Sequence, residues 1–414
     1  MANPNANSGL GRKRFLLYTC SLVLAPCAGE AAAVGTAPLI LDDNRLFAEV
    51  QFVRPDGTAR EAYAFVDMGT PVPVVSESLY HELRIDQKVP LVLRLGELEL
   101  HSDPGSVQID SAFMTGPDGK RAVTVEAVLP GSLLKDYQVV FDYGRRVLTV
   151  ARPGTLDPKG YAVPCRVNEK TGLISVEVLI DGRSYPVAID SGSAYTWFRS
   201  ETSRRWLLDH PLWERGTGAV GESNMQTRDD GAEAAATILR LPEISLGALH
   251  LKQIGALAIS PQRPPFPPVP GEESVPGGFF DWYSKKAPES VIGWLGGNVL
   301  KGFRVTIDYP RRMTYWEQER DLDPHDLDQV GLTLETRDNQ HGYFVAAVAR
   351  KEGKLTVRGV EAGDRLLEID GVQLESATRG AIFSALHGKP GDLRALTLER
   401  GGRDLKTSVP VSAF

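Results

Sequence analysis

A chain of 414 residues is too long for one ordinary hydrophobic core, so two or three domains are expected. Its apolar content of 42% and charged content of 24% are those of a globular protein. The net charge of -7, with Lys and Arg scattered along the chain, excludes a nucleic-acid partner, which needs a concentrated basic face.

The chain opens on a leader-like pattern over residues 1–33. Arg12, Lys13 and Arg14 precede the apolar run Phe15 to Ala25, and small residues follow at Ala31, Ala32 and Ala33. The run is too short to span a bilayer as a helix. It predicts export to a bacterial periplasm or the extracellular space. A lipid anchor on Cys27 is the alternative, which Pro26 disfavours. Cys20 and Cys27 fall in this segment, so Cys165 has no partner for an internal disulfide and is expected to be a buried structural thiol. No later stretch is long and apolar enough for a transmembrane helix.

Short apolar runs broken by Gly, Pro and Asp predict a mainly β protein. Leu46 to Val53 and Tyr63 to Val66 read as a hairpin around Pro55-Asp56-Gly57. Leu173 to Ile180 and Tyr185 to Ile189 repeat it around Asp181-Gly182. Each hairpin leads into Asp-x-Gly-hydroxyl and another apolar strand: Asp67-Met68-Gly69-Thr70 in the first copy, Asp190-Ser191-Gly192-Ser193 in the second. Later, Leu129 to Lys135 aligns without gaps with Leu295 to Lys301. In that register Val139 matches Val305, Asp142 matches Asp308 and Tyr143 matches Tyr309. A repeat of this length predicts one structural unit used twice, as lobes over 46–151 and 161–316. The Pro- and Gly-rich residues 151–160 read as the connector, and the proline-dense Pro261 to Pro270 as a loop inserted in the second lobe.

Twofold-related lobes would bring Asp67 and Asp190 together. Adjacent carboxyl groups cannot both ionise cheaply, so the pair shares a proton and can act as base and acid at once. Gly69 and Gly192 would let the loops turn tightly, and Thr70 and Ser193 would each donate a hydrogen bond to the neighbouring carboxylate. The seven histidines show no metal-ligand spacing, and no phosphate-binding glycine loop or serine nucleophile elbow occurs. No metal or cofactor is expected.

At Asp190-Ser191-Gly192-Ser193 and Ile292-Gly293 the chain resembles the retropepsin-like aspartic proteases, in the form that carries both lobes in one chain. The resemblance covers about 46–316. It implies a peptide-bond hydrolase working on polypeptide, with Asp67 and Asp190 catalytic and no need of a dimer, so a monomer is expected. It also implies that Ser191 bonds across to the opposite loop, and that a glycine-rich lid covers the cleft, for which Gly216, Gly218 and Gly221 are the candidates. The first lobe departs in two places: Met68 stands where the family has Ser or Thr, and Ala127 stands where the repeat has Gly293.

After the acidic residues 317–328 the composition changes. The run Gly363-Asp364-Arg365-Leu366-Leu367-Glu368-Ile369-Asp370-Gly371, a helix over Ala377 to His387 and a strand over Leu393 to Leu398 resemble a bacterial-type PDZ domain over 331–412. That implies an α+β module which adds a peptide as an extra strand, with Gly342, Tyr343 and Phe344 in the loop that holds a terminal carboxylate. The alternative is a structural cap packed against the lobes.

Overall fold

The computed structural model describes residues 33–110, 115–118, 121–218, 230–260, 278–337 and 340–414. The leader-like segment up to residue 32, the proline-dense 261–270 and Gly221 lie outside the described residues. The protein is mainly β, with an α+β module at its C-terminal end.

Each half is built from its hairpin outward. Strands Arg45–Val53 and Ala59–Asp67 pair antiparallel, as do Ile174–Ile180 and Arg183–Ile189. In the second hairpin Asp181 and Gly182 take φ of 50° and 72°, the left-handed pair that a tight two-residue turn needs. A short strand follows each hairpin, Val74–Ser76 in one half and Thr196–Arg199 in the other. A returning strand, Ala127–Pro130 or Gly293–Leu295, then slots beside both. It runs parallel to the hairpin and antiparallel to the short strand. Being fully buried, it has no use for alternating polar residues, which is why its sequence is continuously apolar.

The lobes join through a shared six-stranded sheet. Its order is Val34–Asp42, Val147–Ala151, Gln138–Asp142, Phe303–Asp308, Met313–Gln318, Tyr161–Val167. At its centre Val140 faces Thr306. These two residues are images of each other in the sequence repeat, so the pseudo-twofold axis runs between them. To either side the symmetry reaches the side chains. Gln138 donates to Asp308 at 2.7 Å, and in the image position the Arg304 Nε lies 3.3 Å from Asp142.

The outer strands of this sheet obey the same symmetry through two prolines. Pro38 sits opposite Val147, and Pro164 opposite Met313. Just beyond each proline the strand leaves the shared sheet and joins its own lobe's hairpin, at Leu39–Ala48 and Cys165–Val176. A residue without an N–H suits the point where the ladder changes partner. Strand Val34–Asp42 therefore extends the first lobe about a dozen residues upstream of its expected start. Its alternation of Ala37 and Leu39 with exposed neighbours was the available signal. Cys165 is buried, as expected, and burial pushes its thiol up to about 12.

The third unit has its own core, formed by Val345, Leu366, Ile369, Ile382, Leu386 and Leu398 among others. Strands Leu332–Arg337, Gln340–Val348, Arg365–Ile369, Leu393–Arg400 and Arg403–Pro410 form its sheet. Helix Arg379–Leu386 starts at Thr378, whose hydroxyl accepts from the Ala381 amide as an N-cap. Among the described residues no helix is long and apolar enough to cross a membrane.

Gln138 holds both the lobe junction and the connector, since it also exchanges bonds with the Leu156 backbone. Replacing it leaves the buried Asp308 carboxylate short of a donor. Gln138→Ala is expected to lower stability by about 1–3 kcal/mol in urea unfolding, and an unchanged midpoint would contradict this account of the junction.

Candidate active site

Asp67 closes strand Ala59–Asp67, and Asp190 follows strand Arg183–Ile189 at the matching place. Each aspartate is braced by its own loop. The Gly69 amide donates to Asp67 Oδ1 at 2.8 Å, and the Gly192 amide to Asp190 Oδ1 at 2.8 Å. Each carboxyl also lies against the opposite loop. A β-carbon on Gly69 would sit 2.5 Å from Asp190 Cγ, and one on Gly192 would sit 2.3 Å from Asp67 Cγ. Glycine is thus required at both positions by close approach, and the approach is reciprocal. The two carboxyls are thus neighbours, and both are buried.

Burial raises the pKa of Asp67, opposed chiefly by the Thr70 hydroxyl at 2.6 Å. Burial raises Asp190 further, reinforced by the charge of Asp67. Both shifts have one cause: two carboxylates cannot be desolvated together, so the pair retains a proton. The environments differ in a way the sequence did not suggest. Thr70 donates to its aspartate, but the Ser193 hydroxyl turns away and donates to the Tyr195 carbonyl at 2.7 Å. Asp190 is met there by the Ser193 backbone instead.

Ser191 reaches across to the opposite loop. Its hydroxyl donates to the Val66 carbonyl at 2.8 Å and accepts from the Met68 amide at 3.1 Å. Met68 returns neither bond. Its side chain is buried, with the Tyr309 hydroxyl 3.8 Å from its sulfur. The loops are therefore locked from one side only. The Ala127 departure is accommodated. In the second lobe a β-carbon on Gly293 would meet the Trp197 carbonyl at 2.0 Å, whereas Ala127 packs opposite Val75.

The described lid glycines do not form a free hairpin tip. Gly216 ends against the Arg350 carbonyl and Gly218, with φ of 109°, against Ala349. Thr217 pairs with Arg350, so this segment fastens the second lobe to the C-terminal module. Here glycine serves close backbone packing. Gly342, Tyr343 and Phe344 likewise lie inside a strand rather than in a loop. That strand is paired on both sides, with Phe344 between Glu335 and Arg365, so it offers no free edge there for an added peptide.

Contacts that sequence reasoning missed tie the C-terminal module to the dyad. The Asp42 carboxylate bonds the Gly380 amide at 3.0 Å and the Thr378 hydroxyl, docking the first lobe at the start of helix Arg379–Leu386. At the other end of that helix His387 Nε2 lies 2.9 Å from the Tyr195 hydroxyl. Tyr195 is the residue whose carbonyl holds Ser193. Nothing local in the sequence marks such pairings, because they join segments far apart in the chain.

Comparison with known proteins gives two findings. Residues 321–399 match the PDZ domain family, so the C-terminal module is a PDZ domain, a class of domain that binds peptides. Among solved structures the chain is similar to an aspartic proteinase from Irpex lacteus, with 11% identity and a TM-score of 0.39, over 69% of this chain and 97% of that one. No curated protein matches. Among the described residues no group of three or more His, Cys, Asp or Glu could hold a metal.

The raised pKa values fix a pH signature. A carboxyl whose folded pKa exceeds its unfolded value, about 4, contributes stability fully below that pH and loses it as pH rises through the folded pKa. Asp190→Asn removes the cost of deprotonating the pair. The variant should melt above the parent at pH 7, with the gap closing toward about pH 3. Parallel Tm profiles for the two proteins would show that the carboxyls are not coupled.

Proposed function

We propose that the chain is an exported aspartic endopeptidase. The reading rests on one observation, the reciprocal contact of the Asp67 and Asp190 carboxyls with each other's glycine loops. In this mechanism the ionised member of the pair takes a proton from a water that attacks the peptide carbonyl carbon. The protonated member donates to the carbonyl oxygen, giving a gem-diol. Collapse of the gem-diol breaks the C–N bond, and the amine leaves with a proton supplied through the pair. Titration belongs to the pair, so neither aspartate has a fixed role before substrate binds. Export follows from the leader-like pattern at residues 12–33. With the strand paired on both sides at Phe344, the PDZ domain acts first as a brace on the lobes. Any polypeptide it positions is taken elsewhere on its surface.

Met68 supports a second reading, a peptide-binding protein that has kept the cleft without efficient hydrolysis, because Ser191 makes both of its bonds across the loops and Met68, having no hydroxyl, returns none. The two readings separate in one assay. Denatured polypeptides incubated from pH 3 to pH 7 should be cleaved by the parent, with rates lower by about 10²–10⁴ in Asp67→Asn and Asp190→Asn. Met68→Thr should raise turnover roughly threefold to tenfold, the worth of one restored hydrogen bond. Peptide binding with no cleavage by the parent or by Met68→Thr supports the second reading.

A further inference from the structure

We propose that helix Phe279–Lys286 is an internal plug seated in the cleft over the dyad, so that polypeptide reaches Asp67 and Asp190 only when this helix is displaced. The proposal rests on where two apolar clusters lie. In an extended strand, residues two apart share a face. Phe65 therefore shares the face of Asp67, and Ala188 that of Asp190. Phe65 belongs to a small cluster with Phe47, Val74, Val125 and Val128, all in the first lobe. Ala188 belongs to a cluster with Trp197 and Trp294 in the second. Val74 and Trp197 occupy matching places in the repeat, as do Val128 and Trp294, so these are the twofold-related walls that flank the dyad.

Helix Phe279–Lys286 covers both walls. Phe279, Phe280 and Tyr283 pack on Trp294, with ring centroids 5.5, 5.3 and 5.6 Å away. Trp282 packs against the clusters of both lobes. Tyr283 is buried. Burial raises its pKa first, and the charges of Asp190 and Asp67 raise it further. The helix thus stands on the two surfaces a substrate strand would need.

Two features suit the helix to removal rather than permanent residence. First, its polar fastening rests on few side chains, Arg199 at one end and Thr171, which donates to the Lys286 carbonyl at 2.7 Å, at the other. Arg199 bonds Asp281 at 2.8 Å, the Phe280 carbonyl at 2.8 Å and the Ser284 hydroxyl at 3.0 Å. Second, closure leaves donors unpaired. The Tyr283 hydroxyl and the indole N–H groups of Trp197 and Trp294 are buried with no hydrogen-bond partner among the described residues. Each such donor opposes the apolar gain of docking the helix, and a peptide backbone could satisfy them.

The inference builds on the dyad reading, and its test separates the two. The full chain is titrated with a fluorescent statine-type peptide, a transition-state mimic for paired carboxyls, and cleavage of a quenched peptide pool is measured alongside. Trp282→Ala loosens the hold on the first lobe. Asp281→Asn weakens the Arg199 fastening at a half-exposed site and guards against a misfolded Trp282 variant. Either should tighten peptide binding by about tenfold, because apparent affinity scales with the open fraction. Faster hydrogen exchange at residues 279–286 should accompany it. Tighter binding with no cleavage by any variant would keep the plug and overturn the protease. Cleavage by the parent, with binding and rate unchanged in both variants, would overturn the plug and keep the protease.

Discussion

Two carboxylic acids can share a dry site only while a proton stays between them, and most of this molecule serves to impose that condition. Asp67 and Asp190 come from opposite halves of the chain, yet each lies within reach of the other's loop glycine. Such closeness cannot be set locally. It requires that the hairpins behind each aspartate be fixed to one another, which the shared six-stranded sheet does through the Val140–Thr306 pair on the axis. The rigid β frame keeps the charges from moving apart, and the surrounding apolar side chains keep water from separating them. The raised titration of both groups follows from the frame rather than from any special residue beside them.

Much of this architecture was legible in the sequence because it is written twice. The matching of Leu129–Lys135 with Leu295–Lys301 is a statement about structure before any residue is assigned a role, and the fold obeys it down to Gln138 and Arg304. The aspartates and their glycines were legible for the same reason. What stayed hidden lacks an internal copy. Ser193 differs from Thr70 because its hydroxyl finds the Tyr195 carbonyl, a contact set by the loop's continuation toward the PDZ domain. Glycines 216 and 218 look like a mobile tip in one dimension, and only the approach of Arg350 and Ala349 explains them. The helix Phe279–Lys286 has no counterpart among the described residues of the first lobe, and its apolar face reads like any other core stripe until both walls are seen beneath it.

The departure at Met68 shows how an approximate symmetry divides labour. Of the matched residues Met68 and Ser191, Ser191 is the one that bonds to the opposite loop, at the Val66 carbonyl and the Met68 amide. On the other side a thioether fills space and meets the Tyr309 hydroxyl. The image residue Tyr143 has its hydroxyl buried without a partner among the described residues. One loop is held by polar contacts and the other by packing, so the two aspartates sit in supports of different stiffness.

The PDZ domain touches the first lobe through Asp42 and the second through Tyr195 and Thr217. A body fastened on both sides of an axis works as a splint. In a two-lobed molecule the softest motion is a twist of one half against the other about the junction. Here that twist would have to tear the helix start from Asp42 or its end from Tyr195. Breathing of the cleft is thus diverted away from the lobes and into the segments laid over them.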